Sequence, residues 1–254
     1  MKKVIRQVLV FFIKPLSFRR RMGFLQKIIH LFISEYSPKE RLQFLFEMDR
    51  HLYGLQGQAS ATYGKGIHSK HRHTNYHEYF VKNISTGDRV LDIGSGNGFM
   101  TYDMATKVSG VEVVGIDLDQ SNVESSSNHY IQPNLRFVHG DALKDLPDEQ
   151  FDVVTLSNVL EHIDDRVSFL RETIRKLKPR KFIIRVPSFE RDWRVPLKKE
   201  LGIDYRLDET HFTEYTLEQF SDETQRAGLE IQKIESRWGE IWSVLHVRNQ
   251  DVAP

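Results

Sequence analysis

Val90-Leu-Asp-Ile-Gly-Ser-Gly-Asn-Gly98 is the stretch from which the rest of the chain can be read. Val90, Leu91 and Ile93, entered through Arg89, predict a short strand apolar on both faces, as in the middle of a parallel sheet. Gly94, Gly96 and Gly98, with Ser95 between the first two, let the backbone turn sharply and leave no Cβ to hold off a ligand. Residues 99–108 continue as a helix, whose first N–H groups face whatever lies over the turn. A dinucleotide-binding turn has the spacing G-x-G-x-x-G, and position 99, where its last glycine belongs, is Phe99. Asp92 points away from phosphate as well. A carboxylate two residues before the first glycine repels a pyrophosphate and favours a cationic ligand.

Asp92-x-Gly94-x-Gly96-x-Gly98 resembles the first motif of the class I S-adenosylmethionine (SAM)-dependent methyltransferases, of the type 11/12-like kind. Three further stretches resemble that family in the order it has them. Val111-Glu-Val-Val-Gly-Ile-Asp117 is similar to its second strand, which implies that Asp117 binds the ribose hydroxyls. Gly140-Asp141-Ala142 is similar to the turn after strand three, implying that Asp141 takes the adenine amino group and that Leu118 and Ala142 flank the ring. Phe151-Asp-Val-Val-Thr-Leu-Ser-Asn-Val-Leu-Glu-His162 is similar to the fourth strand and its loop, which would bring Ser157 and Asn158 to the cofactor. The resemblance covers about residues 87–165 and implies SAM as cofactor.

Outward from this core, strands are expected near 89–93, 111–116, 135–138, 152–157 and 181–186, with helices near 99–107, 120–128 and 166–177. Alternation of this kind implies an α/β fold with a parallel sheet and right-handed crossovers. Thr216-Leu-Glu-Gln219 reads as a capping box opening a helix that ends near Gly228. Leu229–Ile234 and Ile241–Val247 read as two strands. The resemblance implies that they form the antiparallel hairpin of a Rossmann-like, seven-stranded and mostly parallel sheet with helices on both faces.

The chain has 254 residues, 39% hydrophobic and 28% charged, with net charge +1. That suits one sizeable domain and a modest extension, here residues 61–254 and 1–60. No cysteine is present, which excludes disulfides, thiolate metal sites and a catalytic thiol. The near-neutral average hides a local imbalance. Residues 1–34 carry Lys2, Lys3, Arg6, Lys14, Arg19, Arg20, Arg21 and Lys27 and no acid. Phe24, Leu25, Ile28, Ile29, Leu31 and Phe32 recur among them at helical spacing, and Pro15 separates this stretch from Val8–Ile13.

Two expectations stand side by side for this extension: a basic amphipathic helix on an anionic membrane surface, or helices packed on their own domain or a second subunit. A cleaved signal is disfavoured by Lys14-Pro15 and the lack of a small-residue site. Nucleic acid is disfavoured because the basic residues alternate with bulky aliphatics. The expected location is the cytoplasm, at the inner face of the membrane. Ser37-Pro38 opens a helix over 35–60 with Leu42, Phe44, Leu45, Met48 and Leu52 on its apolar face.

Tyr63 to His73 reads as a flexible basic loop before a helix from Thr74 to Ile84. His68, His71, His73 and His77 raise the question of metal, with His73 and His77 on one face if helical. No carboxylate or thiolate joins them at ligand spacing, so no metal is expected. Lys70 and Arg72 suit an anion better.

Methyl transfer from a sulfonium needs alignment and exclusion of water more than covalent help from the protein. With a hydroxyl acceptor a base assists, and the candidates are His162 and His211. The fourth-strand loop lacks the two prolines of enzymes that methylate base or amide nitrogen. Acceptor choice is expected to lie in the insertion from Pro187 to Thr213, whose Phe189, Trp193, Tyr205 and Phe212 suit sugars and whose arginines suit phosphates. The favoured reading is therefore a methyltransferase acting on a small molecule or a lipid-linked, cell-envelope saccharide. A catalytically silent scaffold module and a nicotinamide-dependent oxidoreductase are the alternatives.

Overall fold

A computed structural model describes residues 13–65 and 67–248; the expected apolar run Val8–Ile13 lies almost wholly outside them. The chain opens with helices α1 (Phe18–Ile33), α2 (Pro38–Tyr63), α3 (Ser69–Thr74) and α4 (Tyr76–Lys82). Then come β1 (Arg89–Ile93), α5 (Phe99–Lys107), β2 (Glu112–Asp117), α6 (Gln120–His129), β3 (Leu135–His139) and β4 (Val153–Ser157). The second half holds α7 (Arg166–Leu177), β5 (Lys181–Pro187), α8 (Arg194–Glu200), α9 (Leu217–Arg226), β6 (Leu229–Arg237) and β7 (Glu240–Val247). The seven strands form one sheet in the order β3-β2-β1-β4-β5-β7-β6. All pairings are parallel except β5–β7 and β6–β7. This is the Rossmann-like sheet with a terminal antiparallel hairpin, and the expected strand positions hold to within three residues at each end.

β1 is the pivot of the order, with β2 on one side and β4 on the other. Its alternation divides the core. Leu91 and Ile93 join Val154, Leu156, Phe182 and Ile184 under α7 and α9, which contribute Leu170 and Phe220. Val90 joins Val113, Val153, Ile183 and Trp242 under α4 and α5, which contribute Phe80 and Met104. Both faces of the sheet are covered, as a parallel sheet requires.

Three local readings are corrected. Ser69–Thr74 is a helix rather than a flexible loop, capped where the His68 ring accepts from the Lys70 N–H. The next helix starts at Tyr76 instead of Thr74, because Asn75 sits at φ +49° and breaks the two apart; Asn tolerates this left-handed geometry better than most residues. His73 and His77 therefore do not share a helix. At α9 the capping box is half made: Thr216 Oγ1 accepts from the Gln219 N–H at 3.1 Å, while the Gln219 amide donates to Thr213 and Glu223 instead of returning to the cap.

α2 has a complete box, with Ser37 Oγ accepting from Glu40 N–H and Glu40 accepting from Ser37 N–H at 2.8 Å, and it runs on to Tyr63. No residue of α1 is buried; Phe18, Phe24, Leu25, Leu31 and Phe32 are exposed. Among the described residues, no helix is long and apolar enough to cross a membrane.

Candidate active site

The order of strands reverses between β1 and β4, and ligands in open α/β sheets bind beyond the strands' carboxyl ends at such a reversal. Gly94 to Gly98 leave β1 at that point. All three glycines have positive φ, +71°, +54° and +73°, a region in which L-residues other than Asn and Asp are strained. Their surroundings differ. A Cβ on Gly94 would stand 2.4 Å from Val159 Cγ2, and one on Gly98 would stand 2.7 Å from both Phe137 Cζ and Ser126 Oγ. A Cβ on Gly96 would meet nothing within 4 Å. The turn is thus clamped at both ends and open in its middle.

Asp117, at the end of β2, fixes the open middle. Its Oδ2 accepts from Gly96 N–H at 2.7 Å, and its Oδ1 accepts from Asp119 N–H at 3.0 Å and from the Asn122 amide at 3.2 Å. Leu118 follows with its side chain exposed. Asp141 lies beyond β3, accepting from Leu143 N–H and Lys144 Nζ, and these two bonds hold its carboxyl below the usual range; Ala142 packs against the main core. Ser157 ends β4, and Asn158 follows at φ +56° with a buried Oδ1 that has no partner among the described residues. The structure thus brings the glycine turn, Asp117 and the Ser157–Val159 segment together directly. Asp141 reaches the same edge of the sheet by position, two residues past the end of β3, whose His139 pairs with Asp117.

Asp92 stands elsewhere. It is wholly buried under the turn, with Oδ2 accepting from Thr101 at 2.6 Å and Oδ1 from Thr155 at 2.7 Å. The sequence reading set it against a cationic ligand; in the fold both of its oxygens are taken up by threonines. Burial pushes its carboxyl up to about 6, against the opposing pull of the two hydroxyls. A carboxyl raised in the folded state binds protons more tightly there than in the unfolded chain. Its contribution is therefore most favourable below about pH 4 and is lost as pH climbs through about 6, a swing of about 3 kcal/mol. Asp92→Asn keeps an acceptor for Thr101. Thr155 has the Leu91 carbonyl at 3.5 Å as a further acceptor, which frees its oxygen to receive the new amide. The expected result is a higher melting temperature than wild type at pH 8 and an equal one near pH 4, measured by thermal denaturation. A melting temperature lowered at both pH values would contradict it.

Leu160–His162 form a single 3-10 turn after β4. Glu161 is fully buried and neither carboxylate oxygen has a partner among the described residues; burial pushes it up to about 8. The insertion docks here, Phe212 N–H donating to the Glu161 carbonyl at 2.8 Å. That contact brings His211 edge-on to His162, ring centroids 4.5 Å apart. Thr210 Oγ1 lies 2.8 Å from His162 Nδ1, and Glu214 Oε1 lies 3.4 Å from His211 Nδ1. Burial lowers both imidazoles, His211 to about 4, so both are neutral at pH 7. The two sequence candidates for a base are neighbours, and one donor atom each from Glu161, His162 and His211 lies within 4.8 Å of the others. Sequence reasoning weighed metal at His68–His77 and missed this trio. His77 is instead committed to Asp103 at 2.7 Å, and Lys70 to the buried Glu240 at 2.7 Å.

A Rossmann-like sheet of this order, with a turn at its reversal, is the fold that this chain shares with SAM-dependent methyltransferases of known structure. Residues 91–184 match the family model described as a methyltransferase domain. Over 97 residues the chain is 35% identical to the ubiquinone biosynthesis O-methyltransferase of Pseudomonas fluorescens and 36% identical to that of Pseudomonas putida, covering 37% of this chain. The chain thus spans about two-fifths, 41%, of the length of these curated relatives. Among solved structures it resembles a chain of the complex between the Haloferax volcanii Trm112 methyltransferase activator and a methyltransferase (TM-score 0.59, 21% identity, covering 78% of this chain and 98% of that one). It also resembles magnesium protoporphyrin IX methyltransferase from Synechocystis, solved with bound SAH (TM-score 0.54, 15% identity, covering 69% of this chain and 83% of that one).

Proposed function

We propose that this protein transfers a methyl group from SAM to a hydroxyl oxygen of a small-molecule or saccharide acceptor. The observation that carries the cofactor half is the Asp117 carboxylate anchored to the Gly96 N–H beside the open middle of the glycine turn. A carboxylate there accepts from two ribose hydroxyls, and the bare turn admits the nucleoside. Asp141, Leu118 and Ala142 serve the adenine, Ser157 and Asn158 the methionine side. Asp92 supplies negative charge beneath the sulfonium and ammonium. The acceptor oxygen forms its bond to the methyl carbon as the carbon–sulfur bond breaks, the electron pair returning to sulfur to give a neutral thioether. The hydroxyl proton leaves to a base, for which neutral His162 and His211 are in place.

An oxygen acceptor is favoured by the names of the curated relatives. A cavity of about 560 Å³ between α2, the insertion and the β6–β7 turn supports a polar acceptor of modest size. Tyr53, Arg191, Arg194, Tyr205 and Trp238 line it, a mixture of aromatic faces and guanidinium groups that suits a saccharide or phosphorylated ligand. Arg191 pairs with Glu214, the partner of His211, which links this cavity to the histidines. The direct test is incubation with methyl-labelled SAM and a fractionated cell extract. Label should move to a base-stable methyl ether in one fraction; a protein that retains SAM yet labels no fraction would favour the scaffold reading.

We further propose that α1 lies on anionic lipid at the inner face of the membrane. Its exposed apolar stripe and the acid-free run Arg19, Arg20, Arg21 and Lys27 support this. Full-length protein is expected to float with vesicles containing phosphatidylglycerol and to sediment once residues 1–34 are removed. Equal behaviour of the two proteins would remove the membrane clause.

A further inference from the structure

We propose that Glu161, His162 and His211 are the protein ligands of a divalent metal ion that holds the acceptor, an inference that rests on the methyl-transfer reading for the ion's use but not for its binding. The strongest observation is the carboxylate. Glu161 is fully buried with both oxygens unpartnered among the described residues; such a carboxyl is costly to bury in either protonation state, and a bound cation would satisfy its oxygens. The basic group that faces it, Arg185, is turned over the Tyr76 ring at 3.8 Å and toward Glu240 at 3.7 Å. Asn158, three residues earlier in the same loop, adds another buried oxygen without a partner among the described residues.

The histidines are arranged as metal-binding imidazoles are. Each has its Nδ1 occupied by a neighbouring oxygen, Thr210 for His162 and Glu214 for His211, which fixes the ring and leaves Nε2 to bind. Glu214 is itself held by Arg191 and by the Leu207 N–H, so the outer support is continuous with the insertion. The donor atoms lie within 4.8 Å of one another. Coordination at about 2.0–2.2 Å asks them to close by roughly 1 Å. Two imidazoles and one carboxylate, with no thiolate in the chain, suit zinc, manganese or ferrous iron and leave coordination positions open. An acceptor hydroxyl taken into one of these would be oriented and made more acidic before the methyl arrives, its proton leaving to solvent, so the ion would take over the role otherwise assigned to the two histidines as bases.

The test is equilibrium dialysis of the chelator-treated, full-length protein against zinc chloride and, separately, manganese chloride. One ion per chain is expected, with affinity reduced on the order of 100-fold by Glu161→Gln and by His162→Gln, and unchanged by His129→Gln, an exposed histidine outside the site. His162 is only partly buried, so its variant tests the site even if the buried Glu161 variant fails to fold. No ion held beyond the level of both ligand variants overturns the proposal. SAM calorimetry on the same samples separates the two readings: SAM bound with no metal overturns the metal site alone, and metal lost in the variants with no SAM affinity in any sample upholds the site while contradicting methyl transfer.

Discussion

Asp117→Ala is expected to abolish measurable SAM binding by calorimetry, a loss of on the order of 100-fold or more, while leaving the fold intact. Two hydrogen bonds to a charged acceptor are removed, each worth about 1.5–3 kcal/mol. The tether to Gly96 N–H goes with them, so the turn loses its fixed position as well as its ribose partner. Asp117 is partly exposed at the end of β2 and takes no part in either apolar core, which is why the melting temperature should move little. Asp117→Asn retains an acceptor for Gly96 and is expected to fall between the two. Unchanged affinity in the alanine variant would refute the assignment of the site.

Gly98→Ala should carry a far larger stability effect than the same change at Gly96. Its φ of +73° is strained for alanine by about 1 kcal/mol, and the new Cβ would stand 2.7 Å from Phe137 and Ser126. The side chains of β3 and α6 must give way, which adds roughly 1–3 kcal/mol. A total of about 3 kcal/mol lowers the melting temperature by about 6–12 °C in a domain of this size. Gly96→Ala shares the strained φ but meets nothing within 4 Å, so about 1 kcal/mol is expected, with a greater effect on SAM affinity than on stability. Equal destabilisation of the two variants would contradict the account of a turn clamped at its ends and open between them.

The strands and the glycine turn were legible because their signals are local. Val90–Ile93 is apolar on both faces, and a turn with three left-handed residues needs its glycines whatever surrounds it. The break at Asn75 was not legible. Asn75 is a residue that tolerates the left-handed region, but an asparagine inside a helical pattern does not by itself mark where that pattern breaks. Asp92 was legible as an acid at the right position, yet the two threonines that enclose it come from 9 and 63 residues away.

The histidine pair shows the same limit. His162 and His211 each stood out as candidates, but 48 residues separate His162 from Thr210. Their meeting depends on one backbone hydrogen bond between Phe212 and Glu161, which no periodicity encodes. A carboxylate flanking one histidine in sequence, with a second histidine in a polar insertion, was the available signal.

The central claim is that a bare turn and acids from two strand ends, Asp117 and Asp141, with the buried charge of Asp92 beneath, hold one cationic nucleoside. A crystal structure determined with S-adenosylhomocysteine tests it most directly. The account predicts the nucleoside over Gly94–Gly98, its ribose hydroxyls on Asp117 and its adenine between Leu118 and Ala142 near Asp141. A ligand bound elsewhere, or a nucleoside whose ribose turns away from Asp117, would contradict it.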